Sequence, residues 1–129
     1  MKTSCCSTII VAALLSATSV LADGDPKLGA GVFKKCAACH TATEPVNKVG
    51  PSLMGVVGRP VASVATYSYS AAMKTFSADG KVWDEALLHK YLLSPQAVVK
   101  GTRMSFAGVK SDSDVDNLIA YLKNPAAAQ

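Results

Sequence analysis

The run Cys36-Ala37-Ala38-Cys39-His40 decides the reading of this 129-residue chain. Two cysteines three positions apart sit about one helical turn apart, so both sulfurs reach one edge of the same planar group. The histidine that follows places an imidazole beside them. Cys-x-x-Cys-His is the attachment signature of a c-type haem. The sulfurs bond to the two vinyl groups, and the imidazole of His40 becomes an iron ligand. A bare Cys-x-x-Cys also suits half of a zinc site or a redox-active dithiol. The common zinc arrangements need a second cysteine pair, and the remaining cysteines, Cys5 and Cys6, lie near the N-terminus. The strand and helix flanks of a thioredoxin-like dithiol are missing. Thiol–disulfide exchange at Cys36 and Cys39 therefore ranks behind haem attachment.

Upstream of the motif, residues 1–22 have the build of an export signal. Lys2 supplies the positive start, residues 8–15 an apolar run, and Val20-Leu21-Ala22 the small residues before a cut. A membrane-spanning helix needs about 20 predominantly apolar residues. This stretch is shorter and is interrupted by Ser16, Thr18 and Ser19, so cleavage after Ala22 is favoured over an uncleaved anchor. The expected product is one domain, 23–129, in the periplasm. Cys36 and Cys39 are the only cysteines in it, which suits an oxidising compartment. The formal net charge is +4, with no dense basic run interleaved with aromatics, which argues against nucleic-acid binding.

Downstream and upstream, three segments read as helices. The first covers about 26–39, capped by Asp25 with Pro26 at its first position and Leu28, Val32 and Phe33 as its apolar face. The second covers about 84–93, with Leu87, Leu88, Tyr91 and Leu92 at helical spacing and Ser94-Pro95 as its stop. The third covers about 113–123. There Val115, Leu118, Ile119 and Leu122 form an amphipathic stripe, and Ser111 or Ser113 is its cap. No strand pair is convincing. The stretches 41–69 and 95–110 are long, rich in small and turn-forming residues, and need a surface to wrap. The fold class is all-α.

A six-coordinate haem takes Met or His on its far side. Met54, Met73, Met104 and His89 are the candidates outside the leader. Met104 stands in a loop, Gly101-Thr102-Arg103-Met104-Ser105-Phe106-Ala107-Gly108, whose flanking glycines let the backbone approach a ligand closely.

With these residues in view, the sequence resembles the class I c-type cytochromes, the family of mitochondrial cytochrome c and bacterial cytochrome c2. Besides the haem motif, the resemblance rests on Gly50-Pro51-Ser52-Leu53, Gly58-Arg59, Tyr67-Ser68-Tyr69-Ser70, Trp83, Tyr91, the Met104 loop and Leu118-Ile119-Ala120-Tyr121-Leu122. It implies about three main helices and long loops wrapped around one covalently bound haem c. It also implies Met104 as the axial sulfur opposite His40, and the Pro51 carbonyl as the partner of the second His40 nitrogen. Arg59, Tyr69 and Trp83 would hold one haem propionate and Thr102 would assist the other. Tyr91 would direct its hydroxyl at the Met104 sulfur, Phe106 would cover the haem edge, and Tyr121 would pack on the first helix.

The implied function is one-electron transfer by a soluble monomeric carrier cycling between Fe(III) and Fe(II), without enzymatic activity. Quinol:cytochrome c oxidoreductase would be the donor, and a terminal oxidase or photosynthetic reaction centre the acceptor. Lys34, Lys35, Lys48, Lys100, Arg103 and Lys110 flank the expected haem-contacting segments as a positive rim for acidic partners. The other class in play is a haem enzyme or gas-binding cytochrome with a labile sixth ligand. The chain departs from the family pattern in carrying Lys100 where proline is common. Gln96 and Ala97 also stand where mitochondrial proteins often have lysines.

Overall fold

The computed structural model describes residues 24–129, so the expected leader lies outside the described residues. Five α-helices and a terminal 3-10 turn make up the order: α1 Pro26–Phe33, α2 Ala71–Ser77, α3 Glu85–Leu93, α4 Pro95–Val98, α5 Asp112–Lys123 and the turn Pro125–Ala128. The expected three helices are α1, α3 and α5. The two additions are short. α2 buries no residue fully, and α4 is a single turn. Among the described residues there is no named strand, only an isolated bridge between Pro60 and Val82. No described helix is long and apolar enough to cross a membrane.

Side-chain caps fix where the main helices begin. The Asp25 carboxylate accepts from the amides of Lys27 and Leu28, Asp84 from Leu87 at 2.7 Å, and Ser111, rather than Ser113, from Asp114 at 3.2 Å. Each such cap is worth about 1 kcal/mol. The first helix ends at Phe33, earlier than its pattern predicts. Its path continues as turns, because Cys36 donates to the Phe33 carbonyl and both Cys39 and His40 donate to that of Cys36.

α1 packs mainly against α5. The contact uses a different α1 residue from the one the apolar pattern selects. Leu28 is 60% exposed, whereas Gly29 is buried, because an added Cβ there would stand 1.9 Å from the Asn117 carbonyl oxygen. The helices meet backbone to backbone, and a larger residue would hold them apart. The Asn117 side chain accepts from the Asp25 amide at 2.7 Å, and the Phe33 and Tyr121 rings pack with centroids 5.3 Å apart. The whole predicted α5 stripe is buried, and Leu88, Tyr91 and Leu92 of α3 join the same core. α3 is further tied to α5 by Lys123 on Glu85 at 2.7 Å and by His89 beside Asp112 and Asp116.

Candidate haem site

The turn after α1 presents Cys36 half-buried and Cys39 exposed. His40 Nδ1 lies 2.7 Å from the Pro51 carbonyl oxygen. A carbonyl can only accept, so Nδ1 carries the proton and Nε2 keeps its lone pair. Burial lowers the His40 pKa against the opposing pull of that hydrogen bond, which favours the neutral, metal-binding imidazole. Gly50 closes the other side of the ring: a Cβ there would fall 2.2 Å from His40 Cε1. The loop is pinned to the motif by Gly50 N on the Cys39 carbonyl (2.8 Å) and Lys48 Nζ on the Ala37 carbonyl (2.7 Å).

The Met104 loop carries the candidate thioether ligand. Met104 is half-buried against the core, and the Tyr91 hydroxyl donates to its Sδ at 3.4 Å. Burial pushes the Tyr91 pKa up, partly offset by the Thr102 hydroxyl, so the phenol keeps its proton and remains a donor. Thr102 Oγ1 also accepts from the Met104 amide at 3.2 Å, and the Phe106 amide donates to the Met104 carbonyl. The other candidate ligands have different surroundings. Met54 is 43% exposed, Met73 packs from α2 against the core, and His89 is engaged with the two α5 aspartates.

Arg59, Tyr69 and Trp83 form the polar part of the site. Trp83 N donates to the Arg59 carbonyl (2.9 Å) and Gly58 N to that of Trp83 (2.8 Å), which sets Arg59 and Trp83 side by side. Trp83 is buried, with its ring 4.8 Å from Tyr91 and 6.1 Å from Phe76. Arg59 donates from Nη1 to the Met54 carbonyl and from Nη2 to the Ser52 carbonyl, each at 3.0 Å, but its Nε is buried with no partner. Burial draws its pKa down, while Tyr69 nearby opposes the shift. Tyr69 Oη accepts from the Val64 amide at 3.2 Å, which leaves its own proton to donate. A half-buried cation given only neutral carbonyls and one buried unmatched donor lacks an anion. A haem propionate is such an anion, so the donor set fits the group.

Two residues of the Gly50–Leu53 motif have roles that the sequence did not assign. Gly50 acts through the absence of a side chain, which no spacing rule detects. Ser52 is a buried polar residue whose hydroxyl is held by the Glu44 carbonyl and supports the Met54 amide, ordering the loop that Arg59 grips.

The fold and this donor set together describe a haem-binding chain, and comparison with known proteins agrees. No protein-family model matches. A cytochrome c-550 of Nitrobacter winogradskyi is 48% identical over 100 residues, spanning 77% of this chain and 89% of that protein. A cytochrome c2 of Agrobacterium tumefaciens (strain II Chrys) is 42% identical over 101 residues, 78% of this chain and 91% of that protein. Among solved structures, cytochrome cH from Methylobacterium extorquens superposes with a TM-score of 0.70 at 40% identity, covering 78% of this chain and 98% of that one. The chain belongs to the class I c-type cytochromes. Membership brings one covalently attached haem c and a role in electron transport, and the cysteine–histidine spacing at 36–40 is that of its attachment motif.

Proposed function

We propose that the chain is a soluble periplasmic carrier whose haem is anchored by Cys36 and Cys39 and ligated by His40 and Met104. The observation that carries this is the His40 Nδ1 contact with the Pro51 carbonyl at 2.7 Å, which fixes the tautomer that leaves Nε2 free. The bound group supplies one-electron Fe(III)/Fe(II) chemistry. His40 holds a neutral nitrogen in place, and Gly50 keeps its ring from tilting. Tyr91 orients the Met104 sulfur by a hydrogen bond to it. A thioether opposite an imidazole raises the potential relative to two histidines. Arg59, with Tyr69 and Trp83 beside it, would neutralise one propionate, Thr102 would assist the other, and Phe106 would cover the haem edge.

Two permanent protein ligands leave no position for a substrate, so the reading is a carrier and not an enzyme or gas-binding protein. Exposed Lys34, Lys35, Lys100 and Lys110, with Lys48 and Arg103, serve as a positive rim for acidic membrane complexes. Quinol:cytochrome c oxidoreductase fits as donor, and a terminal oxidase or photosynthetic reaction centre as acceptor. The chain acts as a monomer making brief contacts.

Absorption spectra of the purified protein in both redox states test this. A pyridine haemochrome of c type and a methionine-to-iron charge-transfer band in the ferric form are expected. Rapid carbon monoxide binding by the ferrous form would overturn the closed His/Met site.

A further inference from the structure

Gln96 is an exposed residue on the single turn of α4, at a position that sequence alone marks only as a departure from the family. In the structure its amide Nε2 faces two backbone carbonyls of the Met104 loop, that of Met104 at 3.3 Å and that of Thr102 at 3.4 Å. The two amide hydrogens serve both acceptors. Arg103, which lies between those residues, turns the other way and places Nη2 2.6 Å from the Ser68 carbonyl. The 102–104 segment is thus tied to α4 by its carbonyls, to the 60s loop by Arg103, and to α3 by the Tyr91 contact with the Met104 sulfur.

We infer that Gln96 is a positioning residue for Met104, acting through the backbone carbonyls on either side of Arg103. The inference rests on Met104 being the distal ligand. Gly101 and Gly108 at the loop's ends have φ of 81° and 103°, conformations that only glycine adopts readily, and between them Gln96 is the side chain that holds the carbonyls of Thr102 and Met104. Restraining the carbonyls between them removes backbone states in which the sulfur has swung off the iron. The chemistry of the donors matters as much as their place. An amide and a guanidinium do not deprotonate in ordinary alkaline solution. The restraint therefore persists where a lysine at either position would lose its charge and offer a competing amine.

The test compares Gln96→Glu, Gln96→Met and Gln96→Arg with the wild type as purified ferric holoproteins at neutral pH. Exogenous imidazole is titrated in, and displacement of Met104 is read from loss of the methionine-to-iron charge-transfer band. Glutamate keeps the shape but has no donor, methionine keeps the length, and arginine keeps donors. Removing the donor raises the apparent affinity for imidazole by about threefold to tenfold in the Glu and Met variants, while Gln96→Arg stays near wild type. Urea midpoints within error of wild type confirm that the effect is on the loop and not on the core. If the wild type shows the band and the Glu and Met variants bind imidazole as it does, the positioning role is overturned. An Arg variant as loose as the Met variant overturns the donor argument. A wild type without the band overturns the ligand reading itself, and this inference with it.

Discussion

Tyr91 and Met104 meet through a hydroxyl-to-sulfur hydrogen bond of 3.4 Å, in which a buried helix residue touches the donor atom of a loop. A thioether that accepts a hydrogen bond gives less density to the metal, and the ferric state needs that density more. Tyr91→Phe therefore lowers the reduction potential. A hydrogen bond worth about 1 kcal/mol corresponds to roughly 40 mV for one electron, which bounds the shift. Potentiometric titration of both proteins reads it. The same residue has a pH signature. Because burial raises its folded-state pKa, the folded protein holds the phenolic proton where the unfolded chain has released it. Stability is then full below the ordinary tyrosine range and falls as pH rises through it. Unfolding midpoints measured above about pH 10 decline less steeply in the phenylalanine variant.

Arg59 holds two loop carbonyls and keeps a third donor in reserve. Arg59→Met strips donors from the Ser52 and Met54 carbonyls. A loss of about 1–2 kcal/mol in equilibrium unfolding of the holoprotein is expected from those two hydrogen bonds. On the proposed pairing of Arg59 with a propionate, removing its positive charge also favours the oxidised form, so the potential falls. Arg59→Lys recovers the charge but not the fork, and lies between the two in stability.

Gly50→Ala drives a methyl group into the His40 ring, which must tilt away from the Pro51 carbonyl. Overpacking of this kind typically costs about 1–3 kcal/mol. The expected outcome is a lower holoprotein yield and an altered proximal histidine signal in paramagnetic NMR of the ferric form. Unchanged imidazole resonances would show that the ring has room.

Lys100 is the sole lysine between Pro95 and Gly108, and it is exposed at the end of α4. Its amine is the candidate to replace Met104 in alkaline solution, since an amine ligates once its proton is gone. Lys100→Ala is expected to move loss of the methionine-to-iron band to higher pH. An identical alkaline titration of the two proteins would remove Lys100 from this role.

Salt reports on the rim. Lys48 is occupied with the Ala37 carbonyl and Arg103 with that of Ser68, whereas Lys34, Lys35 and Lys110 have exposed side chains. The second-order rate of electron transfer to an acidic membrane partner is expected to fall as ionic strength rises past the point where the Debye length is about 10 Å. Lys34→Ala with Lys35→Ala reduces that slope. A rate independent of salt would mean that charge does not steer the encounter.

Much of the framework was legible in the chain because its signals are local. The α5 stripe and the caps at Asp25 and Ser111 lie within one or two helical turns of what they control. α2 was not legible, since Ala71–Ser77 buries nothing completely and so carries no strong apolar period. Leu28 misled for a related reason. An apolar face marks what can be buried, and here a glycine next to it sets how closely α5 approaches. The site divides the same way. Cys36, Cys39 and His40 declare themselves by spacing, and the placing of Arg59, Tyr91 and Met104 followed from resemblance to a family. Gln96 declares nothing, because its partners are backbone carbonyls that any sequence possesses.

The contact of α1 with α5 bears on the order of events in the cell. The segment that leads into the attachment motif finds its main packing partner in residues 112–123, which are synthesised long after it. Closing a loop that long is entropically slow. The motif cysteines are therefore released from synthesis into a chain whose first helix has nothing yet to lean on, and they stay reachable by whatever joins them to haem. When α5 seats against Gly29 it completes the packing of the first helix, while Cys39 stays exposed in the folded chain.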